Sequence, residues 1–190
     1  GELRTFLDAS TLLVIFHRAA CPPTAPDLVA IRDACLAAGV SVARVVQPYR
    51  VAGRKAPPAA PSLDLAWAAV ITALGRRKAL AGLGFVYAGR SSGARVACRA
   101  AADDSIRPRP IGVVTVAFPV HPPGKPEKSR LVELDAVPVQ VLVVQGLSDP
   151  FGMPVPAPGR TVRQLPGDHS LKRSAGEVGE LVAGWVSRLG

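Results

Sequence analysis

The sequence predicts an α/β fold with a doubly wound, mostly parallel sheet and helices on both faces. Short, continuous apolar runs rich in β-branched residues are typical of strands that are buried on both faces. They alternate with longer segments in which apolar residues recur at helical spacing. The chain has 190 residues, of which 48% are hydrophobic and 19% are charged. This length and composition favour one domain with a sizeable core, and we expect a single domain over residues 1–190.

The first half of the chain predicts, in order, a strand, a helix, a strand, a loop and a helix. The bounds of these elements are 11–16, 26–38, 40–46, 47–61 and 62–74. Both strands are continuous apolar runs, and the first helix has Asp27 in its first turn and Gly39 directly after its end. The loop is rich in Pro and Gly and shows no apolar period. We expect Ser62 to cap the second helix.

The second half predicts a strand, a helix, three strands and a closing helix. Their bounds are 85–88, 92–102, 111–118, 139–145, 161–165 and 176–189. Apolar residues on one side of the last helix include Trp185, and we expect both Trp185 and Trp67 to lie in the core. In a doubly wound sheet, ligand sites lie past the carboxyl ends of the strands. The loops that follow the predicted strands therefore carry the candidate functional residues.

The loop after residue 88 contains a Gly-x-Ser-x-Gly motif, Gly89-Arg90-Ser91-Ser92-Gly93. A predicted strand precedes this motif and a predicted helix follows it. A nucleophile elbow needs this context, because a sharp strand-to-helix turn exposes the serine hydroxyl and requires small flanking residues. The motif therefore predicts Ser91 as a nucleophile, with the Ser92 N–H directed at an oxyanion. An ordinary glycine- and serine-rich turn is the alternative for this motif alone.

A serine hydroxyl needs a base to take its proton and an acid to orient that base. Asp149 lies just past the predicted strand 139–145, and His169 lies in a turn before the last helix. The order Ser, Asp, His is the order in which such triads occur on this kind of sheet. We therefore predict His169 as the base and Asp149 as the acid. Asp168 is the second candidate for the acid, although a sequence neighbour rarely orients an imidazole well.

These residues, and several longer segments, resemble the α/β hydrolases, in particular the small, lidless branch related to dienelactone hydrolases. This branch includes testis-expressed hydrolase-like proteins and the hydrolase-like subunit of the NSL histone-acetyltransferase complex. The longer segments are QPYRVAGR at 47–54, FPVHPPGKPEKSR at 118–130, VVQGLSDPFG at 143–152 and GDHSL at 167–171. The resemblance implies a minimal hydrolase fold without a lid domain. It also implies Ser91 as nucleophile, Asp149 as acid and His169 as base, with no cofactor.

The loop after the first buried strand differs from the form usual in this branch. The usual form is His-Gly-Ala-Gly-Gly, whereas residues 17–22 read His-Arg-Ala-Ala-Cys-Pro. This loop normally supplies a second oxyanion N–H, which we assign here to Arg18 or Ala19. The added Cβ atoms and Pro22 predict a damaged oxyanion hole, and the loss of one donor lowers the rate about 100–1,000-fold. The alternative is that the Arg18 side chain itself contacts an anionic substrate.

Four further residues are candidates for contacts with substrate because they lie in loops expected at the same edge of the sheet. They are His17, Arg54, His121 and Lys125. For each of them a solvated or loop-filling role is the alternative. We expect no metal site, because His17 and Cys21 have ligand-like spacing but lack further partners. The three cysteines are widely spaced without a Cys-x-x-Cys pair, which favours a reducing, cytoplasmic location over a disulfide framework.

Charge and hydropathy limit the classes of partner. The net charge is +9, but the basic residues are scattered and are not interleaved with aromatic residues, so we expect a solvated surface rather than a nucleic-acid partner. The longest nearly apolar run, residues 65–74, is half of the ~20 residues that a membrane helix needs.

The motif at Ser91, with Asp149 and His169 after it, favours an esterase with a small-molecule or acyl substrate. A thioesterase or peptidase with the same triad, and an interaction module whose catalysis has faded, are the alternatives.

Overall fold

The computed structural model describes residues 2–6, 9–16, 25–54, 56 and 58–190. The strands in this part of the chain are β1 (Glu2–Arg4), β2 (Thr11–Phe16), β3 (Ser41–Val45), β4 (Gly84–Arg90), β5 (Pro110–Val116), β6 (Val141–Gly146) and β7 (Arg160–Leu165). The helices are α1 (Pro26–Ala37), α2 (Pro48–Val51), α3 (Ala60–Gly75), α4 (Ser92–Ala102), α5 (Leu131–Asp135) and α6 (Ala175–Val186), with a short 3-10 turn at Lys78–Leu80.

The strands form one twisted sheet in the order β1-β3-β2-β4-β5-β6-β7. Every pair from β3 to β7 is parallel, and β1 runs antiparallel to β3 at the edge. This arrangement confirms the predicted α/β fold. The edge strand β1 was not predicted, since three residues are too few to show a period. Its Glu2 pairs with Arg44 of β3.

The core has one layer on each face of the sheet, as expected for a doubly wound fold. Alternate residues of β2 point to opposite faces, so that Val14 packs on the side of α3 and α4 while Ile15 packs on the side of α1 and α6. Both layers are apolar, which explains why the central strands have continuous apolar runs rather than alternating ones. Trp67 is fully buried against Phe16, with ring centroids 4.1 Å apart, and Trp185 is buried on the opposite face.

Two predictions on the segment between β3 and α3 are wrong. The segment predicted as a loop contains the short helix α2, which begins at Pro48, whose fixed φ suits a first helical position. Helix α3 begins at Ala60, with Ala59 rather than Ser62 at its N-cap position. Ser62 is therefore already inside the first turn, where its backbone N–H donates to the Ala59 carbonyl. Pro61 allows this earlier start, since proline is tolerated in a first turn.

Strand β5 ends at Val116, two residues before the predicted end, because Ala117 takes a positive φ of 51° and turns the chain. The Ala117 N–H donates instead to the Val144 carbonyl of β6, 2.8 Å away. Within the described residues, no separate lid domain is inserted after any strand. No helix in this part of the chain has the length and apolar character needed to cross a membrane.

Candidate active site

The direction in which strands are added to the sheet reverses between β2 and β4, which lie side by side. The chain passes from β2 to β3 on one side, and β4 then adds on the other side of β2. Connections from these two neighbouring strands therefore diverge at their carboxyl ends, which is where ligands bind in open α/β sheets. Phe16, the last residue of β2, lies beside Gly89 near the end of β4. The point at which the strand order reverses thus lies directly beside the Gly-x-Ser-x-Gly motif.

The motif forms a sharp turn from β4 into α4. Ser91, at the N-cap position of α4, has φ 55° and ψ −117°, a strained conformation for a residue with a side chain. Gly89 makes the turn possible, because a Cβ on it would overlap the Gly93 carbonyl group. The Ser91 N–H donates to the Val116 carbonyl at 2.9 Å and fixes the turn to β5. Ser92 is the first residue of α4, where backbone N–H groups lack intrahelical acceptors.

Three side chains from separate loops meet at this turn. Ser91 Oγ lies 2.8 Å from His169 Nε2, and His169 Nδ1 lies 2.8 Å from Asp149 Oδ2. The Asp149 side chain is completely buried and the His169 side chain is 11% exposed, so the hydrogen-bonded chain runs from the interior to a partly exposed serine. A carboxylate at Nδ1 keeps the proton on that nitrogen and leaves Nε2 free to accept the serine proton.

Two residues that the sequence analysis did not single out hold Asp149. Gln145, the second-to-last residue of strand β6, donates from Nε2 to Asp149 Oδ2 at 2.9 Å, and the Phe151 N–H donates to Oδ1 at 2.9 Å. The Phe151 ring also packs on the His169 imidazole, with centroids 4.2 Å apart. A polar residue at the end of an apolar, fully buried strand is the signal that could have revealed Gln145.

Asp168, the alternative acid, points elsewhere. Its Oδ1 accepts hydrogen bonds from the backbone N–H and the hydroxyl of Ser170, at 2.8 and 2.6 Å. The bond from the Ser170 hydroxyl is the main reason that the pKa of the Asp168 carboxyl is lowered. Of the two candidate acids, the structure therefore brings Asp149 to the imidazole.

The loops that carry Asp149 and His169 are joined to each other. The Ser148 N–H and hydroxyl both donate to the Gly167 carbonyl, at 3.0 and 2.9 Å. Gly146 lies against the same loop, since a Cβ there would overlap the carbonyl oxygens of Gly167 and Asp168. A shallow groove of about 370 Å³ lies along this junction and is lined by Ser148, Gly167, Asp168, Ser170, Lys172 and Arg173. These contacts hold the loop that carries Asp149 beside the loop that carries His169.

The other predicted site residues have varied positions. His121 is partly buried beside the acid loop, with its ring against Gly152 and its Nδ1 2.9 Å from the Pro122 carbonyl oxygen. Arg54 is exposed beside a groove between α2 and α3, and Lys125 is exposed in a turn that follows His121. None of these three has a contact with the Ser91, His169 or Asp149 side chains among the interactions of the described residues.

His17, Arg18 and Ala19, and the Cys21 and Pro22 that follow them, lie outside the described residues. Their predicted roles at the oxyanion and in substrate binding stay predictions.

Cys35 and Cys98 are buried free thiols, and burial raises the pKa of both, to about 12 for Cys35. Over residues 2–6, 9–16, 25–54, 56 and 58–190, no group of three or more His, Cys, Asp or Glu side chains is arranged to hold a metal ion.

Solved structures with the same fold include several hydrolases. Dienelactone hydrolase from Anabaena variabilis superposes with a TM-score of 0.75 at 16% identity, over 96% of this chain and 88% of that chain. Est1E from Butyrivibrio proteoclasticus gives 0.72 at 16% identity, over 96% and 89%. An esterase from Pyrococcus furiosus gives 0.71 at 14% identity, over 96% and 83%. At these identities the likeness concerns the fold.

No curated protein matches the chain in sequence. A family model does match, over residues 9–177, and this range contains the elbow, Asp149 and His169. The match covers most of the chain and agrees with the sheet order and the strand-to-helix turn at Ser91. The chain therefore belongs to the α/β hydrolase domain family.

Proposed function

We propose that this protein is a serine hydrolase that cleaves carboxylic esters, with Ser91 as nucleophile, His169 as general base and Asp149 as the acid that orients it. The observation that carries the proposal is the unbroken chain of two hydrogen bonds, 2.8 Å each, from Ser91 through His169 to Asp149. The strained backbone of Ser91 supports it, because strain at a partly exposed nucleophile is typical of a functional elbow.

The reaction follows from this geometry. Ser91 Oγ attacks the ester carbonyl carbon while His169 Nε2 takes the hydroxyl proton, and Asp149 stabilises the imidazolium that forms. The oxyanion accepts a hydrogen bond from the Ser92 N–H, and the sequence predicts the N–H of Arg18 or Ala19 as the second donor. The imidazolium then protonates the leaving alkoxide. A water molecule, deprotonated by His169, attacks the acyl-enzyme. The bond between the acyl carbon and Ser91 Oγ then breaks, and the His169 imidazolium returns the proton to Oγ as the acid product leaves.

Within the family we place the chain in the small, lidless branch related to dienelactone hydrolases, which includes the testis-expressed and NSL-complex hydrolase-like proteins. The motifs at 47–54, 118–130 and 143–152 support this placement. A cleft without a lid suits small or surface-presented acyl substrates, for which His17, Arg54, His121 and Lys125 are the candidate contacts. We also propose a cytoplasmic location, since Cys35 and Cys98 are both free thiols.

The test is covalent labelling with a fluorophosphonate, read by intact mass on the wild type and on Ser91→Ala. We expect a single adduct on the wild type and none on the variant. Hydrolysis of p-nitrophenyl esters of increasing chain length, compared with matched thioesters and peptide amides, then separates an esterase from a thioesterase or peptidase. Because all three use the same triad, only the relative kcat/KM values distinguish them.

A second candidate function is that of an interaction module with weak or no catalysis. The residues at 17–22 favour it, because Arg18 and Pro22 replace the small, N–H-bearing residues expected at an oxyanion loop. Folded wild-type protein that gives no adduct would support this candidate over the esterase. If labelling occurs but turnover is slow, Arg18→Gly is expected to raise kcat by restoring the approach of the loop backbone.

A further inference from the structure

Arg90, the residue between Gly89 and Ser91, has a side chain that is only 3% exposed. Its Nε forms an ion pair with Asp27, in the first turn of α1, whose side chain is 2% exposed. Its Nη2 donates to two backbone carbonyls, those of His169 at 3.0 Å and Ser170 at 3.1 Å. One guanidinium group thus joins the elbow, the start of α1 and the loop that carries His169.

The buried ion pair between Arg90 and Asp27 is expected to contribute little net stability to the fold. Burying two opposite charges removes both from water, and replacing such a pair with apolar residues of similar volume is often neutral or stabilising. Arg90 Nη1 is a further buried donor, and it has no hydrogen-bond partner within the described residues. Stability alone therefore does not account for a charged side chain at this position of the motif.

The contacts of Arg90 instead join the two groups that must exchange a proton. Its main chain is bonded directly to Ser91, and its side chain binds the carbonyl of His169. Asp27 Oδ1 in turn accepts the Leu28 N–H at 3.0 Å, so the carboxylate that holds Arg90 is itself fixed to helix α1. A guanidinium is planar and rigid, and such a side chain transmits a fixed geometry between its partners.

We propose that Arg90 is a positioning residue that, held by Asp27, sets the distance between Ser91 Oγ and His169 Nε2. This inference rests on the proposed serine hydrolase function. Misplacement of a catalytic group by about 1 Å lowers the rate about 100-fold. Loss of the Arg90 contacts is therefore expected to slow the chemical step while leaving the affinity for substrate unchanged, because the Arg90 side chain is buried.

The test compares Arg90→Lys with the wild type by the kinetics of fluorophosphonate labelling. Lysine keeps the charge for Asp27 but has a single nitrogen, which cannot bind Asp27 and both carbonyls in the same geometry. We expect the saturating rate of labelling to fall about 100-fold, with an unchanged concentration for half-saturation. The downfield NMR resonance of the proton between His169 Nδ1 and Asp149 should broaden or shift.

Arg99→Lys is the matched control. Arg99 also forms ion pairs, with Asp64 and Glu133, but within the described residues none of its hydrogen bonds is to Ser91, His169 or Asp149. The substitution Arg99→Lys makes the same chemical change and weakens hydrogen bonds to two carboxylates, at a side chain that is 23% exposed rather than 3%. We expect labelling kinetics and the NMR resonance of Arg99→Lys to equal those of the wild type per folded molecule. Equal losses in both variants would overturn the proposal, since a general loss of stability would then explain them.

The double variant Arg90→Met/Asp27→Leu keeps the test decisive if Arg90→Lys does not fold. It removes both charges together, so that neither is left buried without its counter-charge, and approximates the buried volume, while the carbonyls of His169 and Ser170 lose the Nη2 donor. A folded double variant with slow labelling supports the proposal, and one that is labelled at the wild-type rate overturns it. Failure of the proposed function would give a different result, because the wild type itself would then form no adduct.

Discussion

Replacement of Asp149 by Asn tests the proposed role of the acid, because the structure determines how the amide would orient. The Asp149 carboxylate accepts three hydrogen bonds: Oδ2 accepts from His169 and Gln145, and Oδ1 accepts from the Phe151 N–H. Asparagine offers only one acceptor oxygen. The amide NH₂ group must therefore occupy the position of either Oδ1 or Oδ2 of the carboxylate.

The neighbouring groups favour the orientation with the amide nitrogen toward His169. Phe151 N–H then keeps its acceptor. Gln145 Nε2 loses its acceptor on residue 149 but has two N–H groups, which keep the carbonyls of Phe118 and Gly152, at 3.1 and 2.9 Å. The imidazole adapts by moving its proton from Nδ1 to Nε2, so that Ser91 faces a donor instead of a base. Loss of the correct tautomer lowers kcat about 10⁴-fold, which corresponds to about 5 kcal/mol of transition-state stabilisation.

The assay is the rate of fluorophosphonate labelling, read by intact mass, together with urea unfolding to show that the variant is folded. Asp168→Asn is the control, because Asp168 is next to His169 in sequence but binds Ser170. We expect little change in its labelling rate. Labelling of folded Asp149→Asn at the wild-type rate, or a larger loss in Asp168→Asn, would refute the assignment of the acid.

Three further predictions concern packing and ionisation. Gly89→Ala should lower the free energy of unfolding in urea by about 1–3 kcal/mol, since its Cβ overlaps the Gly93 backbone, whereas Gly176→Ala, with open space around it, should raise it by about 0.5–1 kcal/mol. In the folded protein, peptide mapping after iodoacetamide at pH 8 should find Cys35 and Cys98 unmodified, because burial raises the pKa of both thiols. The pKa of Cys35, about 12 when folded, exceeds its unfolded value of roughly 8.5, so stability should fall from about pH 9 upward, with a shallower slope in Cys35→Ala. Modification of either thiol without unfolding, or an equal slope in Cys35→Ala, would contradict the assigned burial.

The fold could be predicted because its central strands are covered on both faces. In β2 and β6 every residue is buried, so the sequence has continuous apolar runs that are unlike either an exposed strand or an amphipathic helix. The candidate site was located by the same logic. Ser91 and Asp149 each come just after a buried strand, and parallel strands bring their carboxyl ends to one edge.

The predictions of helices and strands failed where the local sequence is compatible with more than one structure. Ser62 is a good cap by residue type, but Pro61 permits an earlier first turn, and the helix begins at Ala60. The edge strand β1 has three residues and depends on its pairing with β3, including the Glu2 and Arg44 ion pair. Such an element exists only once its partner strand is in place, so no periodicity within the segment could reveal it.

Arg90 shows why the support of a site is harder to predict than its reacting groups. A Gly-x-Ser-x-Gly motif constrains the glycines and the serine, since the turn leaves no room for other Cβ atoms, but it places no local constraint on the residue before the serine. An arginine there is expected to be solvated by its residue type alone. Its burial depends on Asp27 and on the carbonyl of His169, which are 63 and 79 positions away in the sequence. Those partners come together only when the tertiary structure has formed. The role that we propose for Arg90, setting the distance from nucleophile to base, therefore could not be predicted from the local sequence.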